Sequence, residues 1–217
     1  MQKKILIIIV LFSCFNCFAQ TKFSIFAGPQ AVSARYTVKG IKQRNQYKPG
    51  VEAGINWKIP FEVNLFFAPA IYYSMKGYKV TLNDAAFPPS LFAKNNDVRM
   101  HAIDIAPMLQ YDFGKDPSHF FIKIGPAVDV IFAGKEKFDL STGETISRKM
   151  KFTFGDYGRF TSIIIAHFGY ETVAGFIIFA HYSYGLGSLN NADGGPQIKH
   201  RAIGISVGKY LRKKGRE

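Results

Sequence analysis

Between Val98 and Phe132 the chain reads as two extended runs, Val98–Phe113 and Phe120–Phe132, joined by the polar turn Gly114–Ser118. In the first run Ile103, Ile105, Leu109, Tyr111 and Phe113 share one parity, and Ala102, Asp104, Ala106, Met108 and Gln110 take the other. In the second, Phe120, Ile122, Ile124, Val128, Val130 and Phe132 oppose Lys123, Gly125, Ala127 and Asp129. Side chains alternate across a strand, so each run has one wholly apolar face and one small or polar face. Burying the apolar face inside a water-soluble barrel would leave mostly Gly, Ala and Met for solvent. The pattern suits a hairpin whose apolar side meets lipid and whose small, polar side lines a narrow interior.

The rest of the chain repeats this alternation. A first strand over Phe23–Tyr36 is interrupted by Gly28-Pro29, where the missing amide donor calls for a bulge or a weakly paired position. Over Gly50–Ile59, Val51, Ala53, Ile55 and Trp57 oppose Glu52, Gly54, Asn56 and Lys58. Over Val63–Tyr78, Leu65, Phe67, Ile71, Tyr73 and Met75 oppose Ala68, Ala70, Tyr72, Ser74 and Lys76. Asp156–Glu171 contains Ile163-Ile164-Ile165, which leaves its facing open, and Phe176–Gly185 and Lys199–Leu211 complete the set. Connections are short at Pro60, Gly114–Ser118 and Thr172–Gly175, and long at about Thr37–Pro49, Lys79–Asp97, Ala133–Gly155 and Leu186–Gln197. The alternation predicts an all-β fold: an eight-stranded antiparallel up-and-down transmembrane β-barrel with short periplasmic turns and long external loops. An even strand count puts both ends of the barrel domain on the periplasmic side. The sequence holds no helix-length amphipathic stretch, internal repeat or interdomain linker.

The N-terminus specifies the compartment. Lys3 and Lys4, the apolar run Ile5–Phe12 and the site Cys17-Phe18-Ala19 form a cleavable secretory signal over residues 1–19, leaving residues 20–217 as the barrel domain. The expected destination is the cell outer membrane. A competing reading takes Leu11-Phe12-Ser13-Cys14 as a lipoprotein box with Cys14 acylated. Both cysteines lie in this segment, so the exported chain would lack disulfides, thiolate metal sites and cysteine nucleophiles. Mean hydropathy near zero argues against a bundle of membrane helices, and 21 Phe with 11 Tyr suit a lipid-facing sheet. The formal charge of +13 is spread over the predicted loops rather than gathered into one stripe. Acidic headgroups and lipopolysaccharide phosphates are therefore expected partners, with envelope or secretion-machinery proteins a further possibility, and nucleic acid is not.

The small-residue parity yields the candidate interior: Glu52, Lys58, Lys76, Asp104, Lys123, Asp129 and His181, with Arg159 or His167 as further candidates. An eight-stranded barrel is just wide enough to be filled by side chains. The interior then reads as a plug of mutually paired charges, or alternatively as a path for protons, small ions or a small ligand. The five histidines have no ligand spacing, and no phosphate loop or dinucleotide fingerprint occurs, so no metal, cofactor or catalytic residue is expected. A rim hydrolase or acyltransferase would need His181 and Ser183 to meet Asp156 or Asp193. The expected function is a structural, envelope-assembly or interaction role, the alternative being a rim-site enzyme or small-solute transporter.

Several segments resemble the PorT-like outer-membrane β-barrel family of Bacteroidetes. Ala68-Pro69-Ala70-Ile71-Tyr72-Tyr73-Ser74-Met75-Lys76-Gly77 is similar to that family's Pro-Glu-x-x-Tyr-Ser-x-x-Gly strand, and Ile103–Leu109 to its Ile-Pro-hydrophobic strand. Ile124-Gly125-Pro126, Phe154-Gly155-Asp156-Tyr157-Gly158 and His181-Tyr182-Ser183-Tyr184-Gly185-Leu186 resemble three further motifs. Ala70 stands where the family usually has an acidic residue and His181 where it has Arg. The resemblance thus implies that an interior Glu–Arg pairing is lost or replaced. It also implies a small integral outer-membrane barrel.

Overall fold

The computed structural model describes residues 21–211; the predicted signal segment, with Cys14 and Cys17, lies outside the described residues. The strands are β1 (Lys22–Val38), β2 (Ile41–Lys42), β3 (Arg44–Gln46), β4 (Lys48–Pro60), β5 (Leu65–Phe67), β6 (Ala70–Thr81) and β7 (Asn95–Ala106). After these come β8 (Leu109–Phe113), β9 (His119–Asp139), β10 (Thr145–Lys149), β11 (Phe160–Glu171), β12 (Phe176–Gly185) and β13 (Gln197–Leu211). All pair in one antiparallel sheet. β5 with β6, and β7 with β8, each make one interrupted stave. With β1, β4, β9, β11, β12 and β13 they form eight staves, closed by the ladder between β1 and β13. Among the described residues closure pairs each of the eight staves on both sides, the condition for a sheet to stand in lipid.

Residues 61–64, 114–118 and 172–175 make the short turns at one end, where Lys22 and Leu211 also lie. Strand β1 runs through Gly28-Pro29 in constant register, but its ladder to β13 lapses at these two positions. The Cβ that a side chain would add at Gly28 falls 2.1 Å from the Ile205 carbonyl oxygen, so this close approach needs glycine.

The long connections carry more strand than the sequence reading gave them: β2 and β3 lie within the loop expected over Thr37–Pro49. Residues 133–155 are not a plain loop: β9 continues to Asp139 and returns as β10, a hairpin rising beyond the barrel wall. A bulge explains why alternation missed it. The register between β7 and β9 slips at His101/Ala102, leaving Phe132 without a partner. Phe132 and Ala133 then both face outward, and the buried parity changes from Phe121, Ala127, Asp129 and Ile131 to Gly134, Glu136 and Phe138. One extra residue reverses every later side chain.

The outer wall is apolar. Ile25, Val51, Ile71, Ile105, Ile122, Ile164, Ile178 and Ile205 are between 40% and 57% exposed, one on each of the eight staves. In β11 the open question closes: Ile163 and Ile165 point in, and Ile164 points out. Toward the short-turn end Phe23 meets Trp57 at 5.5 Å, Tyr111 meets Phe113 at 5.3 Å, and Phe120 meets Tyr170 at 4.9 Å. These form an aromatic girdle below the aliphatic band.

Candidate functional site: the barrel interior

Inward positions from all eight staves make a column of polar groups. Nearest the short turns, β4 supplies Lys58, β8 supplies Gln110 and Asp112, β11 ends in Glu171 and β13 contributes Tyr210. The Lys58 ammonium donates to Asp112 Oδ2 at 2.6 Å and to the two Glu171 oxygens at 3.0 and 2.9 Å. Gln110 Nε2 donates to Asp112 at 2.7 Å and Glu171 at 2.8 Å, and the Tyr210 hydroxyl donates to Glu171 at 2.7 Å. His119 Nε2 lies 3.0 Å from Asp112 and 3.4 Å from Glu171. Ligand atoms of Asp112, His119 and Glu171 come within 4.8 Å of one another, a spacing that suits a cation. The cation there is the Lys58 ammonium, which balances two carboxylates that could not otherwise share a dry site.

Deeper in the barrel the register sets Asp104 directly opposite Asp129 across β7 and β9. Like charges so placed repel. Lys76 Nζ from β6 relieves this, lying 2.8 Å from each carboxylate, and Thr161 donates to Asp129 at 3.2 Å. Beside this triad Glu52 accepts from Ser206 at 2.7 Å, and His181 Nδ1 lies 3.1 Å from the same Glu52 oxygen without a well-aligned hydrogen bond. Gln30 Nε2 donates to Ser74 at 3.0 Å.

Between the two ion-pair layers sits Lys123. It donates to Asn56 at 3.2 Å and lies 5.1 Å from the Phe121 ring and 5.9 Å from the Phe179 ring. His167 stacks on Phe179 at 4.7 Å. Two aromatic faces and an amide oxygen thus hold this ammonium, a cation–π arrangement rather than an ion pair.

Above the triad the interior turns apolar. Tyr36, Tyr78, Val98, Met100, Ile131 and Ile198 pack with Leu82, Ala86, Phe138 and Leu189 from the long-loop end. Tyr157, in the connection before β11, donates to Glu136 at 2.7 Å, and Arg148 Nε donates to Glu136 at 2.7 Å. Burial, with Tyr78 and Glu136 beside it, pushes the Tyr157 phenol well above its ordinary value, so it donates as a neutral group. The Tyr36 hydroxyl donates to the Pro88 carbonyl at 3.1 Å, tying the loop before β7 to β1.

Glu52, Lys58, Lys76, Asp104, Lys123, Asp129 and His181 are each at most 4% exposed, and all seven project inside the closed sheet. The structure brings Lys76, Asp104 and Asp129 together, sets His181 beside Glu52, and leaves Lys58 and Lys123 in separate layers. His167 is interior, whereas Arg159 is exposed on the outer wall. Sequence reasoning did not select Asp112, Glu171, His119 or Glu136. Asp112 continues the parity of Asp104 and Gln110 and was findable; Glu136 lies past the bulge, where parity no longer carries over. No hydrogen bond or ion pair joins His181 to Asp156 or Asp193 among the described residues. His181 sits inside the barrel against Glu52, not at a rim.

A family model described as outer membrane protein beta-barrel domain matches residues 17–191. No curated protein matches the chain in sequence. Among solved structures it is similar to Ail, the attachment invasion locus protein of Yersinia pestis, crystallised with the heparin analogue sucrose octasulfate. Identity there is 15%, coverage 88% of this chain and 99% of that one, and the TM-score 0.44. Neisserial surface protein A gives 13% identity, 87% and 97% coverage and a TM-score of 0.44. OprG of Pseudomonas aeruginosa gives 9% identity, 88% and 96% coverage and a TM-score of 0.41.

Proposed function

The chain belongs to the outer membrane protein beta-barrel domain family, and from that premise we propose that it is a sealed, non-conducting outer-membrane barrel with a structural or envelope-interaction role. The carrying observation is the filled interior. The Lys58 cluster occupies one end, the Lys76–Asp104–Asp129 triad lies deeper, and apolar side chains cap the long-loop end. A conducting path needs side chains that exchange partners with water, and here each layer is occupied by groups already bonded across the lumen. The interior charges serve as a plug that fixes the relative positions of staves distant in sequence. Catalysis finds no support in the placement of His181.

The short-turn end is assigned to the periplasm and the long-loop end to the exterior, following the usual asymmetry of such barrels. Export directed by residues 1–19 belongs to the same reading, as does kinship with the PorT-like group, which the Ala68–Gly77 and His181–Leu186 motifs support. Partners are then outer-leaflet lipid and lipopolysaccharide, and envelope or secretion-machinery proteins reached by the basic loops. The refolded chain in a planar lipid bilayer should give no current steps above the bare membrane. Stable unitary conductance would overturn the sealed-plug reading in favour of a transporter.

A further inference from the structure

At the β9 bulge the outer wall opens into a cavity of about 560 Å³. Met75, Phe132, Met150 and Phe152 supply its apolar surfaces, and Arg99, Lys135, Lys149 and Arg159 its charged ones. No carboxylate lines it. Lys135 is the register partner of Arg99 on β7 and of Lys149 on β10, so three cations stand side by side across adjacent strands. Like charges so placed repel. The nearby acids are already engaged: Asp97 pairs with Lys48, and Glu136 turns inward to Arg148. Among the described residues none of the four lining cations forms an ion pair, and the Arg159 guanidinium instead lies 5.2 Å from the Phe152 ring.

The cluster has a position as well as a charge. Along β7 the outward column runs Arg99, His101, Ile103, Ile105, and along β9 it runs Lys135, Phe132, Val130, Val128. The cations therefore stand immediately above the aliphatic band. A ligand that fits both must carry an anionic group with hydrocarbon attached below it. We infer that this cavity binds the phosphorylated headgroup of an acylated outer-leaflet lipid, phosphate oxygens between Arg99, Lys135 and Lys149 and acyl chains along Ile103, Ile105, Val128 and Val130. Arginine and lysine at close quarters hold phosphate by charge-assisted hydrogen bonds. The bulge creates the site, because it turns Phe132 and Ala133 outward together and resets Lys135 to the outer face. The inference rests on the long-loop end lying at the outer leaflet.

The test uses the refolded chain in neutral detergent micelles, with diphosphorylated lipid A as probe and native mass spectrometry as readout. One lipid A should be retained per barrel, and Lys135→Gln with Lys149→Gln should weaken retention by roughly tenfold or more. Neutralising Lys42 and Arg44, in the connection after β1, should leave it unchanged. Each variant is also scored for heat-modified gel mobility. If the first pair does not fold, Arg99→Gln with Arg159→Gln is read in its place, with the same expectation. Equal retention of dephosphorylated lipid A would reduce the cavity to an apolar groove and overturn the inference. Displacement of lipid A by millimolar inorganic phosphate would reassign the site to a free anion, and equal losses in the Lys42/Arg44 control would reduce it to diffuse charge. A wild-type chain that shows no mobility shift would sink the barrel reading first, and the site with it.

Discussion

At the scale of single residues, the interior is held by cations that each answer a specific electrostatic problem. Lys58 neutralises Asp112 and Glu171, and its removal would leave two buried carboxylates facing each other. Lys58→Met should therefore cost about 3–5 kcal/mol of unfolding free energy, measured by denaturant titration in micelles. Adding Asp112→Asn and Glu171→Gln should restore most of that loss, because neutral groups of the same shape no longer require a counter-ion. A single variant as stable as the wild type would show that the ammonium is not what holds this layer. Alternation in the sequence sets Glu52, Asn56 and Lys58 on the small-residue side of their strand, and the structure finds their side chains inside. Their partners were not legible. Lys58 and Glu171 are 113 positions apart, and nothing local to either one encodes the ring closure that makes them neighbours.

At the scale of elements, the β9 bulge separates what alternation predicts from what it misses. Below it every outward and inward position follows simple parity; above it the same rule gives the wrong face. The bulge seats one residue more on β9 than β7 can match, so deleting Ala133 should regularise the ladder and keep the hairpin's facing. A cysteine at position 135 should stay reactive toward a water-soluble maleimide, and one at position 136 should stay protected. An exchange of reactivity between the two would mean that the extra residue at 132–133 is not what sets the hairpin's facing. The hairpin also carries a titration. Asn95 donates to Asp139 at 2.8 Å and Thr145 at 2.6 Å, and these bonds hold the Asp139 carboxyl below its ordinary value. A lowered folded-state pKa contributes stability above the ordinary aspartate value and loses it as pH falls through the lowered one. Hydrogen exchange of the β10 amides should accelerate over that acidic interval, and Asp139→Asn should abolish the acceleration.

At the scale of the whole molecule, the sheet exchanges the usual places of apolar and polar side chains: Ile105, Ile122 and Ile205 face out, while charged residues fill the middle. A photoactivatable probe confined to the bilayer core should label those three isoleucines and spare Tyr36, Met100 and Ile131, which are apolar but enclosed. Labelling in the reverse sense would invert the molecule's inside and outside. The sequence by itself determined the strand count, the alternation of short and long connections, and which parity is greasy, because each is written in neighbouring residues at a period of two. Only the tertiary structure decided which charges meet, where the bulge resets the phase, and that three outer-wall cations stand together without an acid. Those properties depend on register between strands far apart in the chain, and register is fixed by closure of the ring rather than by any one segment of it.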